Sequence, residues 1–170
     1  MIQSKTLSLM ALCVISLEAQ RAHVDYDHAC DFSVYKTYHW TAPAEEQPLN
    51  QLMMQRLTGF VEEAMGAKRL KLIETGGDLL VRYQMSLTQQ EQYTTYADTI
   101  GPGWGWGSAF STTTVNPVLL GTLTVDVIDA KRNRLIFQGV STLTVSSRPE
   151  KNTKRLAKAV NGIFEKYPPR

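Results

Sequence analysis

The chain has 170 residues, 43% of them hydrophobic and 20% charged, with a formal net charge of +2. That composition excludes a wholly disordered chain and leaves enough apolar material for one core. The small charge, carried by scattered basic residues, also argues against a nucleic-acid binder, which concentrates Lys and Arg on one face.

The N-terminus reads as an export signal. Lys5 supplies a positive start, and Thr6 to Leu17 (TLSLMALCVISL) is an apolar run of signal-peptide length. It is too short for a bilayer span, which takes about 20 residues. Cleavage is expected after Ala19, so that 1–19 is a removed signal peptide and 20–170 a single domain. Leu12 precedes Cys13 where a lipoprotein signal places a small residue, so membrane anchoring through Cys13 is disfavoured. The expected location is the periplasm, or the outer membrane if Cys13 is acylated. After cleavage Cys30 has no partner for an internal disulfide, and the fold must stand on its core.

His23 to Tyr26 alternates apolar and polar residues, a short strand pattern. Asp31 to Ser33 reads as a turn, in which Asp27 and Asp31 are placed to accept backbone N–H bonds. Val34 to Trp40 (VYKTYHW) is rich in aromatic and β-branched residues and reads as a second strand. Pro43 to Pro48 is a polar linker. Leu49 to Met65 is the first helix, with Leu49, Met53, Leu57, Phe60, Val61 and Ala64 on one face, and Gly66 suited to its stop. Leu79 to Leu87 follows as a strand with its odd-numbered residues on one side.

The segment from about 89 to 117 differs from its surroundings. It holds Gly101-Pro102-Gly103-Trp104-Gly105-Trp106-Gly107, then Phe110 and a Thr run, and reads as a long Gly/Trp-rich loop. Leu119 to Asp129 and Leu135 to Val145 are then two strands joined by a tight polar turn, hence antiparallel, with Gly139 as a candidate bulge. A helix from about Pro149 to Lys166 ends the domain. Leu156, Val160, Ile163, Phe164 and Tyr167 form its buried stripe, and Lys151, Lys154, Arg155 and Lys158 its wet face. The fold class expected is α+β: a two-layer sandwich, with two amphipathic helices on one face of a mainly antiparallel sheet.

The chain resembles the bacterial envelope proteins grouped as domain of unknown function family 4136, many of them lipoproteins. The residues that carry the resemblance are HVDYDHACDFSVYKTYHW (His23 to Trp40), GGDLLVRYQ (Gly76 to Gln84), the loop around Trp104, GTLTVDVIDAKRNRLIFQG (Gly121 to Gly139) and RLAKAVNGIFEKYPP (Arg155 to Pro169). The resemblance implies an exported α+β domain and carries over no catalytic residues. Phe137 stands where the family often has Trp, and the usual lipoprotein cysteine is not well placed here.

No constellation of catalytic chemistry emerges. Asp25, Asp27 and Asp31 lie close in sequence to His23 and His28; alternation puts Asp25 and Asp27 on one face with His23, but His28 lies beyond that strand, the cluster reads as a polar strand face with a turn-forming Asp, and no metal or cofactor is expected. His39, beside Trp40 in an apolar strand, lacks a nucleophile and an orienting group and reads as structural. The Gly103–Gly107 run is followed by a Ser/Thr stretch and Pro117, so it does not open a phosphate-binding helix. Trp104, Trp106 and Phe110 are instead a candidate interaction loop, since large aromatics in a polar segment mark contact with a partner protein, a glycan or the membrane interface; the alternative is that the Trp104 and Trp106 rings fold back over the sheet as a lid on the core. The expected function is a non-catalytic interaction or structural module of the envelope. The alternative is a periplasmic domain that binds a small molecule or lipid between helices and sheet.

Overall fold

The computed structural model describes residues 22–41, 48–98 and 110–168. The expected signal peptide, residues 42–47 of the expected linker, and Trp104 and Trp106 therefore lie outside the described residues. Within them the elements are β1 (His23–Tyr26), β2 (Thr37–Trp40), α1 (Gln51–Ala67), β3 (Lys71–Leu72), β4 (Leu79–Asp98), β5 (Phe110–Asp129), β6 (Arg134–Thr144) and α2 (Pro149–Phe164). The protein is α+β, with two helices and a six-stranded sheet in the order β1-β6-β5-β4-β2-β3.

The sheet is mixed. β1, β6, β5 and β4 pair antiparallel, whereas β2 runs parallel to both β3 and β4. This corrects the expectation of a mainly antiparallel sheet at one edge. The physical reason is α1: a helical crossover returns the chain to the end from which β2 started, so the next strand runs the same way.

Alternation fixes the core. Leu79, Val81 and Met85 of β4 and Leu123, Val125 and Val127 of β5 are buried, and they meet Leu57, Val61 and Met65 of α1 and Leu156, Val160 and Ile163 of α2 in one cluster. The other face carries a polar row. Asp126 accepts from Arg82 Nε and Gln138 Nε2, each at 2.8 Å, across three adjacent strands. Tyr167 closes the β1 corner, edge-on to Phe137 at 5.0 Å and to Phe32 at 5.6 Å.

Local details depart from the sequence-based expectations. The bulge lies between Val127 and Ile128, not at Gly139. Gly139 instead is where α2 touches the sheet, since a Cβ there would sit 2.2 Å from Ile163 Cγ2. Asn50 caps α1 by accepting from Met53 N–H at 2.9 Å. At its other end the helix runs past Gly66, and Arg69 takes the left-handed conformation at φ 65°. The predicted turn at Asp31 is a 3-10 turn, with Asp31 accepting from Ser33 N–H, and Asp27 accepts from Ala29 N–H as expected.

The largest correction concerns the expected loop. β4 continues to Asp98 and β5 begins at Phe110, in unbroken register from Gln89↔Leu119 to Asp98↔Phe110. Residues 99–109 lie outside the described residues. β6 ends its ladder at Thr144↔Leu120, followed by one bond from Val145 N–H to Leu119 O. That bond shows that odd-numbered β5 residues turn their backbone groups toward β6. Pro117 occupies the next such position and has no N–H to offer. Beyond this point β4 and β5 pair with each other as a two-stranded ribbon.

Candidate functional site

The two ends of the sheet differ in chemistry. At the end where β4 starts and β5 finishes, Asp78 and Asp129 stand at the strand ends. One Asp78 oxygen accepts from Lys36 N–H, Thr37 N–H and the Thr37 hydroxyl, each at 2.9 Å. Asp129 Oδ1 accepts from the N–H groups of Lys131 and Arg132, both at 3.0 Å. Its Oδ2 accepts from the Tyr35 hydroxyl at 2.9 Å and from Arg132 Nη1 at 3.3 Å. Cys30 Sγ lies 3.5 Å from the same hydroxyl.

These contacts set the electrostatics. Burial works to raise the Asp129 pKa, but the donors from Arg132, Tyr35 and Lys131 and the Arg132 charge outweigh it, and the carboxyl is held below its usual range. Hydrogen bonds from Lys36 and Thr37 lower the Asp78 pKa. Burial pushes the Tyr35 hydroxyl up, and its bonds to Cys30 and Asp129 act in the same direction. The shallow cleft here, about 500 Å³, is thus walled by groups already engaged in pinning loops to strands. His39 is similarly engaged, its Nδ1 accepting from Gly77 N–H at 3.0 Å. Asp25, Asp27 and Asp31 bind neighbouring backbone N–H groups, and Asp27 also pairs with Arg134. Among the described residues no three metal-binding side chains converge.

The opposite end is apolar and open. A groove of about 210 Å³ lies between the first turns of the two helices and the sheet, where β6 ends. Leu49 and Met53 line it on the α1 side and Asn152 and Leu156 on the α2 side. Its floor is Gly121, between Leu143 and Met85; a Cβ there would lie 3.3 Å from Leu143 Cδ1 and 3.4 Å from Met85 Sδ. Both asparagines bind local backbone: the Asn50 oxygen accepts from Met53 N–H, and Asn152 bonds both the N–H and the carbonyl of Ser146.

From the groove an apolar strip runs onto the ribbon. Leu87, Leu119 and Val115 share the groove's face by alternation and are 40%, 38% and 47% exposed. Ten residue pairs extend past β6, a length of about 33 Å at about 3.3 Å per residue. Of the expected interaction residues, Phe110 is the first residue of β5, opposite Asp98. A ligand site between helices and sheet is the alternative expected from the sequence, but neither the residues that line the groove nor the strip were identified. The only available signal was the apolar run Pro117 to Leu120, which was divided between loop and strand.

The chain belongs to the family described as domain of unknown function DUF4136, whose model matches residues 22–169. Among curated proteins none matches the sequence. The fold is similar to that of a PDZ domain protein from Parabacteroides distasonis: 15% identity, TM-score 0.54, covering 91% of this chain and 38% of that one. At that identity the likeness concerns fold alone, and this chain spans well under half of that protein. A weaker likeness is to the PelC dodecamer from Paraburkholderia phytofirmans, with 12% identity and TM-score 0.45, covering 84% of this chain and 96% of that one.

Proposed function

We propose that this member of the DUF4136 family is an exported bacterial envelope module that holds a partner rather than catalysing a reaction, with the β4–β5 ribbon as its contact surface. The observation that carries the reading is the ribbon itself. A two-stranded hairpin is at best marginally stable alone in water. Here one extends for ten residue pairs past β6 and exposes Val115 and Leu119. A partner that covers that face would supply the missing third layer of contact. The Thr6–Leu17 run supports export to the periplasm. The structural roles of Asp78, Asp129 and His39 support a non-catalytic reading. The close approach of Ile163 to Gly139 supports a two-layer arrangement in which both helices cover one face of the sheet.

The test is site-specific photo-crosslinking in the bacterial host. A crosslinker at Val115 is expected to give a discrete adduct, whereas one at Lys158, on the exposed face of α2, gives none. Equal labelling from both positions, or from neither, removes the ribbon as the contact surface.

A second reading is favoured by the groove, whose apolar walls suit a small molecule or lipid. Native mass spectrometry of the purified protein is then expected to show a co-purifying mass, and bare protein counts against it.

A further inference from the structure

We infer that the groove takes the hydrocarbon chain of a free long-chain carboxylate, with the chain laid over Gly121 and its carboxylate held by the cationic side chains where both helices begin. This rests on the second reading above and names its ligand. Three observations carry it.

The first is the wall chemistry. Of the two polar side chains facing the groove, Asn50 accepts from Met53 N–H through its oxygen, and Asn152 is bound at both ends of its amide by Ser146. The remaining walls are Pro48, Gly121 and Leu, Val and Met side chains, and Met53 and Met85 adapt their shape to an unbranched chain. The second is size and continuation. The groove, at about 210 Å³, exceeds the roughly 150 Å³ apolar cavity that admits benzene. It is continued by Leu119 and Val115, so a chain longer than the groove stays on apolar surface.

The third is charge. The segments that flank the groove bring Arg56 on α1, Arg148 at the N-cap of α2, and Lys151 and Arg155 on α2, against Glu150. Among the described residues none of these four cations forms an ion pair. Arg56 Nη1 donates to Thr153 Oγ1 at 3.0 Å and Arg155 Nη1 to Thr144 O at 2.7 Å. Each contact fixes a guanidinium beside residues that line the groove and uses one of its five N–H donors. Both helices also present their N-termini at this end, and that of α2 has no side-chain cap. A carboxylate suits the guanidinium fork, a neutral head gains only from chain burial, and a cationic head is repelled.

The experiment is calorimetric titration of the purified full chain at pH 8 with dodecanoate, dodecanol and dodecyltrimethylammonium. Dodecanoate is expected to bind at least tenfold more tightly than dodecanol, and the ammonium compound not at all. The advantage should vanish in R56Q/R148Q and shrink in 0.5 M salt, and tetradecanoate should bind roughly tenfold tighter than dodecanoate. Gly121→Leu fills the floor and should abolish binding of every chain. Met53→Trp narrows the groove from the half-buried α1 side and serves if the glycine variant fails to fold. Equal affinity for dodecanoate and dodecanol overturns the anionic head and leaves the groove standing. No binding of either overturns the groove reading as well. Unchanged binding in both groove-filling variants, or association only with anionic phospholipid vesicles, overturns the site.

Discussion

The two ends of the sheet are built on opposite principles. At the Asp78–Asp129 end, each carboxylate ties a loop to a strand through several short hydrogen bonds, and the clustered polar groups satisfy one another. At the ribbon end, the face that carries the core continues past β6, where Leu87, Val115 and Leu119 are exposed. A clustered set of Asp, Tyr and Cys looks like chemistry, yet here it is structural. The apolar strip resembles a leftover surface, yet it is the part with no structural reason to be so long. Polar groups that satisfy each other leave nothing for a ligand; apolar groups left uncovered do.

The comparison yields predictions of decreasing size. Phe137→Ala, in the body between the two ends, should cost about 3–5 kcal/mol because the ring is fully buried against Tyr167; denaturant unfolding measures it, and a loss below 1 kcal/mol would contradict the packing described. Asp129→Ala should cost roughly 2–3 kcal/mol by leaving the Tyr35 hydroxyl and two N–H groups without their acceptor. The linked pH effect has a definite sign. A carboxyl whose pKa is depressed on folding contributes stability above its unfolded value, ~3.9, and loses it as pH falls through that value and on through the lower folded one. The melting temperature should therefore drop from about pH 4 downward, less steeply in Asp129→Ala than in the parent.

Arg69→Gly should raise stability by up to about 1 kcal/mol, since glycine adopts a positive φ without the Cβ clash; unchanged or reduced thermal stability would show that the Arg69 side chain matters in its own right. The smallest effect belongs to the ribbon. Leu119→Thr should change unfolding free energy by no more than about 0.5 kcal/mol, while weakening the adduct formed by a crosslinker at position 115. A large loss of stability there would erase the contrast between the two ends.

Much of the body was legible in the sequence, and the ribbon was not. β1 and the α2 stripe were readable because each has one buried face, which imposes a period of two or of 3.6 on its apolar residues. The ribbon has no such period. Gln89 to Asp98 and Phe110 to Asn116 are mostly Thr, Gln and Tyr, residues that pair well as strands but show no alternation of apolar and polar side chains. The parallel pairing of β2 with β4 was hidden for a different reason: strand direction depends on the crossover, not on local pattern. Arg69 gave no sign of its left-handed backbone, because Gly66 nearby offered a more conventional stop. The groove was illegible because its walls come from five separate segments.

Pro117 has one more consequence, for solubility. A long, Thr-rich ribbon with few charges is the kind of edge on which chains stack into insoluble fibres, each layer repeating the backbone bonds of the last. A strand laid against the outer side of β5 meets a position at Pro117 with no hydrogen to donate, and a stack would forfeit that bond in every layer. The residue where the ladder to β6 ends thus also guards this edge against runaway self-association.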